Sequence, residues 1–195
     1  MQTHVVILGA GFGGLELATR LSEAVPDQAR VTLIDKNDSF MFGFSKLDIM
    51  FGRQPLDEAW NPYRAVAKPG VEFRQETVVS IDPEQRRVVT NAATYDADIL
   101  VVALGADYDV EATPGLADDG YEFYSVAGAV RAGEALNDFS GGAVVIGVLG
   151  PVFKCPGAPN ETALMVHDFL RARGLRDAST IHLVTRMPMP IPISK

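Results

Sequence analysis

Cysteine occurs once in this chain, at position 155, so an intramolecular disulfide and a Cys-rich metal cluster are both excluded. Histidine is nearly as scarce: His4, His167 and His182 are scattered without ligand spacing, and no metal centre is expected. No apolar run approaches the length of about 18 residues that a bilayer span requires. Residues 1–4 lead straight into an apolar segment with no signal-peptide pattern, so the expected location is the cytoplasm. Basic runs are missing too. Lys and Arg number 17 against 25 Asp and Glu, a net charge of −8, which leaves no stripe able to displace counterions from a nucleic-acid backbone. Short-period repeats and low-complexity tracts are absent, and 47% apolar content places the 195 residues among ordinary globular chains, with room for one large or two small domains.

What the chain does have begins at once. An apolar strand over residues 4–8 runs into Gly9, Ala10, Gly11, Phe12, Gly13 and Gly14, and an acid, Asp35, ends the next strand 21 positions after Gly14. Gly9 permits a tight turn off the strand, Gly11 removes a Cβ so that backbone can approach a pyrophosphate, and Gly14 lets the following helix pack closely. The helix beginning near Phe12 turns its free N–H groups and positive dipole end toward phosphate. A carboxylate at the strand tip accepts hydrogen bonds from ribose hydroxyls and repels a 2′-phosphate. Strand, glycines, helix and acid at this spacing together read as a dinucleotide site.

The periodicity places a helix over 12–25, stopped by Pro26, and a strand over 30–35, a βαβ unit with a right-handed crossover. Residues 36–53 read as a loop whose large apolar side chains should be covered, either by packing or by a bound ring system. Short helical turns are expected over 56–68, broken by Pro62, with Trp60 and Tyr63 as packing residues. From residue 71 the period becomes two, and 71–74, 77–81 and 87–90 read as short antiparallel strands. A strand over 95–103 becomes fully apolar, as if buried on both faces. Residues 107–124 read as loop. A helix over 125–137 is capped by Ser125, with Val126, Val130 and Leu136 available for burial. Ser140, Gly141 and Gly142 form the best boundary, dividing a domain over 1–140 from a second βαβ start over 141–195: strand 143–148, helix 161–173 closed by Gly174, strand 180–185, and no helix after the proline-rich end. The fold class is α/β, a Rossmann-like domain with a parallel sheet and a β-meander, followed by the start of a second Rossmann-like module.

This order of elements resembles the first half of the FAD-dependent pyridine nucleotide-disulfide oxidoreductase superfamily. Within it, the segment over 150–161, with Cys155, Pro156, Ala158, Pro159 and Glu161, resembles the sulfide:quinone oxidoreductase and flavocytochrome c sulfide dehydrogenase branch. The resemblance implies that Gly9, Gly11 and Gly14 hold the FAD pyrophosphate, Asp35 the adenosine ribose, and the backbone around Val78 the adenine, with Phe12, Gly13 and Lys36 also in the cofactor site. Ala103 and Gly105 would lie near the FAD, and Cys155 would be the redox thiol at the flavin. The setting of Cys155, between Lys154 and a Pro-Gly turn ahead of a helix, should favour a thiolate.

The implied reaction passes electrons from a sulfide-like reductant through a cysteine and the flavin to a quinone or cytochrome. It uses a second cysteine that the family carries in its C-terminal half, along with the helices that hold the enzyme on a membrane face. The chain is therefore expected to be the N-terminal portion of a peripheral membrane flavoenzyme, inactive alone, with a homodimer possible. Two other readings stand beside it: an NADH:quinone oxidoreductase-like flavoprotein, and a non-catalytic FAD-binding or self-associating module. Against the first, Pro151 and Pro156 remove N–H donors from the loop of the second module, and the charge of Glu161 opposes a pyrophosphate there.

Overall fold

Alternate residues of the first strand, β1 (Thr3–Leu8), serve two different cores. Val5 and Ile7 pack with Ala18, Val31, Leu33 and Tyr63, whereas Val6 and Leu8 pack with Ile34, Val88 and Ala97. This is the period of two expected where a strand is covered on both faces, each fully buried aliphatic side chain contributing about 1.5–3 kcal/mol. A computed structural model describes residues 2–150 and 153–186 of the chain.

After β1 come α1 (Phe12–Ala24) and β2 (Ala29–Asp35), then β3 (Ser39–Met41), α2 (Ser45–Met50), a 3-10 turn at Asp57–Ala59, β4 (Trp60–Pro62) and a second 3-10 turn at Tyr63–Val66. The strands β5 (Val71–Gln75), β6 (Val78–Asp82), β7 (Arg87–Thr90), β8 (Thr94–Asp96) and β9 (Ile99–Val102) follow. The remainder is α3 (Val126–Asp138), β10 (Gly142–Gly147), α4 (Ala158–Ala172) and β11 (Ser179–Val184). Among the described residues, no helix is long and apolar enough to cross a membrane.

The chain divides into two compact units, residues 1–42 with 57–107, and residues 43–56 with 108–195. That division differs from the boundary at 140, because α2 and α3 both belong to the second unit: a Cβ on Gly133 of α3 would press on the backbone of Met50.

In the first unit a fully parallel sheet runs in the order β5-β2-β1-β9, with β6-β7-β8 as a separate antiparallel meander and β3-β4 as a short antiparallel pair. The α/β reading with a parallel sheet and a meander holds. Three local expectations change. Residues 71–75 join the sheet parallel to β2, Val71 opposite Val31, and their alternation reflects an edge strand. The strand over 95–103 is two strands, broken where Asp98 donates its N–H to the His4 carbonyl and accepts the His4 N–H on Oδ2 at 2.8 Å. β9 is consequently an edge, and Val102 stands 60% exposed where burial on both faces was expected. The stretch over 36–53 is not a loop throughout: residues 39–41 pair with β4, and Leu47 and Met50, three apart on one helical face, are buried from α2. Phe42 and Phe44 from that stretch remain more than half exposed.

In the second unit Ser125 caps α3, its Oγ accepting the Gly128 N–H at 2.9 Å. Ala129, Ala132 and Leu136 supply the buried face of that helix; of the three residues expected there only Leu136 is buried, and Val126 and Val130 are half-buried. Parallel strands β10 and β11 flank α4 in sequence, a βαβ unit. The helix starts at Ala158, before the expected 161, because Pro159 fits the first turn, where an N–H has no partner to lose. Pro151 and the proline-rich residues 187–192 lie outside the described residues.

Candidate functional site

The turn after β1 is fixed by three glycines in three different ways. Gly9 has φ +96°, and a Cβ there would strike the Ala103 carbonyl. A Cβ on Gly14 would overlap the Gly9 carbonyl oxygen, so only glycine lets α1 come this close to the turn. Gly11 differs. Nothing stands within 4 Å of where its Cβ would be, and the space off the turn is open. A Cβ on Gly13 would lie 3.9 Å from the Ala103 methyl.

Between these glycines Ala10 is fully buried and held at both ends of its backbone. Its N–H donates to Asp35 Oδ2 at 2.8 Å, and its carbonyl accepts the Tyr63 hydroxyl at 3.0 Å. The other carboxylate oxygen of Asp35 accepts the Asn37 N–H at 2.8 Å and Asn37 Nδ2 at 3.1 Å. Asp35 therefore turns toward the glycine turn, at the carboxyl end of the parallel strands. Burial pushes the Tyr63 phenol well above its ordinary range, with Asp35 and Asp38 adding to the effect.

At the head of α1 no side chain caps the helix and no acid lies in the first turn, so the N–H groups of Phe12, Gly13 and Gly14 have no carbonyl a turn earlier to bond. Phe12 is 60% exposed and stacks edge-on with Phe40 and Phe42, ring centroids 5.0 and 5.5 Å away. The structure thus brings Gly9, Gly11, Phe12, Gly13, Gly14, Asp35 and Ala103 together. Lys36 is exposed beyond the strand tip, its carbonyl accepting Gln75 Nε2 at 3.4 Å. Val78 is half-buried against the meander-side core, and Gly105, at φ +75°, has open space around it.

Cys155 belongs to the second unit, where its thiol is exposed and its backbone is left-handed at φ +53°. Tyr124 donates its hydroxyl to the Lys154 carbonyl at 2.9 Å, and the Lys154 ammonium lies 4.6 Å from the centre of the Tyr108 ring. Burial, with the Cys155 thiol and Tyr108 nearby, pushes Tyr124 up to about 12. Burial also lowers Lys46, with Lys154 contributing repulsion. No local pattern signals the parts played by Tyr63, Tyr124 and Lys46, because each acts on groups remote from it along the chain.

Known proteins share this sequence pattern and fold. The pattern of the pyridine nucleotide-disulphide oxidoreductase family matches residues 3–150. The type II NADH:quinone oxidoreductase of Staphylococcus aureus is 32% identical over 139 residues, covering 70% of this chain and 35% of that enzyme. The sulfide:quinone oxidoreductase of Aquifex aeolicus superposes with a TM-score of 0.86 at 29% identity, over 95% of this chain and 44% of that one. NDH2 of Plasmodium falciparum shares the fold, with a TM-score of 0.69 at 16% identity over 94% of this chain and 41% of that one. The chain spans about a third of the length of the curated relatives it matches. FAD is the cofactor that the family implies. The residues fit it: the open space at Gly11, the uncapped head of α1 and the inward-turned Asp35 are what a diphosphate and a ribose require.

Proposed function

Because the chain belongs to the pyridine nucleotide-disulphide oxidoreductase family, we propose that it is the FAD-binding portion of a sulfide:quinone oxidoreductase-like enzyme, taking two electrons from a sulfide-like reductant and passing them to a quinone. The observation that carries FAD binding is the glycine turn hooked to Asp35 through Ala10. Gly11 and the first turn of α1 bind the diphosphate through their N–H groups, and Asp35 accepts from the ribose while its charge excludes a 2′-phosphate. Bound FAD supplies two-electron redox chemistry.

Sulfide as the reductant is supported by the likeness to the Aquifex aeolicus enzyme and by Cys155, a free, exposed thiol on left-handed backbone. Residues held in such sparsely populated conformations gather at functional sites. Cys155 is the thiol through which sulfide sulfur passes. A second sulfur is needed for that chemistry, and the 195 residues hold no other cysteine. The work is done at a membrane face, where quinone dissolves, from the cytoplasmic side.

NADH as the reductant is favoured instead by the Staphylococcus aureus relative. The two separate in one anaerobic experiment on the protein extended to the length of its relatives and loaded with FAD. Sulfide should bleach the flavin, and Cys155→Ser should abolish the bleaching. Bleaching by NADH alone would select the other reading.

A further inference from the structure

Beyond the glycine turn and Asp35, the molecule carries the exposed Phe12 and Phe42 rings against the half-buried Phe40, the lysines and tyrosines around Cys155, and the buried Tyr63. Only Tyr63 has geometry that specifies what it does. We propose that Tyr63 is a positioning residue for the FAD diphosphate, acting through the peptide between Ala10 and Gly11; the inference rests on the FAD reading above. Tyr63 is buried, its ring is packed 4.6 Å from Phe73 and its hydroxyl donates to the Ala10 carbonyl at 3.0 Å.

In a trans peptide the carbonyl and the next N–H point in opposite directions. Holding the Ala10 carbonyl toward Tyr63 therefore aims the Gly11 N–H the opposite way, away from Tyr63, on a turn where a Cβ on Gly11 would also meet nothing within 4 Å. Asp35 fixes the peptide before it by accepting the Ala10 N–H. With both flanking groups tied, the Gly11 donor is set before the ligand arrives, and its orientation is not lost to peptide rotation on binding. A phenol titrates near 10 and burial raises Tyr63 further, so the hydroxyl remains a donor across the physiological range.

The test pairs Tyr63→Phe with Phe73→Leu in the whole chain. Tyr63→Phe keeps the ring and removes the hydroxyl; Phe73→Leu keeps the hydroxyl and loosens the packing. The expected result is an FAD dissociation constant about tenfold higher for Tyr63→Phe, with displaced 31P resonances of the bound diphosphate. Phe73→Leu should bind FAD within about twofold of the parent, with unshifted 31P resonances and a lower melting temperature. Equal affinity and unshifted resonances in Tyr63→Phe overturn the proposal while leaving FAD binding intact, and equal losses in both variants reduce Tyr63 to packing. A parent chain that binds no FAD overturns this proposal and the FAD reading together.

A second measurement needs no variant. In the FAD-free parent, hydrogen exchange should find the Ala10 amide protected and the Gly11 amide open, and FAD should then protect Gly11. A Gly11 amide already protected without FAD contradicts the orientation away from Tyr63.

Discussion

The amide nitrogen of Ala10 lies 2.8 Å from Oδ2 of Asp35, so the tips of the first two parallel strands are joined through the peptide on which the nucleotide turn is built. One carboxylate thus shapes the turn, and in the proposed FAD reading the same group accepts from the ribose.

Asp35→Ala leaves the Ala10 N–H without its acceptor, in a place water reaches poorly. The stability loss should be about 1–3 kcal/mol by urea denaturation, the cost of stranding a buried donor. FAD affinity should fall at least about tenfold by fluorescence titration, a factor worth about 1.4 kcal/mol. Asp35→Asn retains an acceptor and should recover part of the stability.

Gly11→Ala and Gly14→Ala should separate binding from folding. Gly14→Ala drives a methyl into the Gly9 carbonyl and should cost about 3 kcal/mol or more in thermal unfolding. Gly11 sits at φ −78° and ψ −163°, which alanine adopts, with open space beyond it. Its alanine variant should melt within a degree or two of the parent and still bind FAD poorly, because the methyl takes the room meant for phosphate.

The tight turn was legible because its parts lie within one βαβ unit: Gly9 and Gly14 make the close approaches that the glycine spacing states, and Asp35 ends β2. Elements whose partners are remote were not. Residues 71–75 alternate like a hairpin strand, yet Val71 pairs with Val31, a choice made by the open edge of β2. The break between β8 and β9 depends on Asp98 meeting His4. Tyr63 read as a packing residue, which its contact with Phe73 bears out, but the hydroxyl that reaches Ala10 spans 53 positions of chain. Cys155 was conspicuous as the only cysteine, while its left-handed backbone left no trace in the composition.

Alkaline pH should weaken the fold in a defined window. Tyr124 is pushed up to about 12, above the value near 10 of an unfolded chain. A raised folded value means that the stabilisation is complete below pH about 10 and is lost as pH rises through about 12. Tyr63 shifts the same way and extends the loss to higher pH. Ultraviolet titration of the five tyrosines should show Tyr63 and Tyr124 ionising late, and Tyr124→Phe should flatten the fall in stability across the window.

Cys155→Gly should stabilise the chain by up to about 1 kcal/mol, since glycine adopts a left-handed backbone without the Cβ penalty. Cys155→Ser, keeping the Cβ, should change the melting temperature little. In the protein extended to the length of its relatives both should lose sulfide-dependent reduction of the flavin, so stability and activity move independently.

The most direct test of FAD binding is to incubate the purified chain with FAD, remove free flavin by gel filtration and record the absorbance between about 350 and 500 nm, where flavins absorb. The parent should retain a flavin spectrum, and Asp35→Ala a weaker one. A colourless parent chain would contradict FAD binding at the glycine turn.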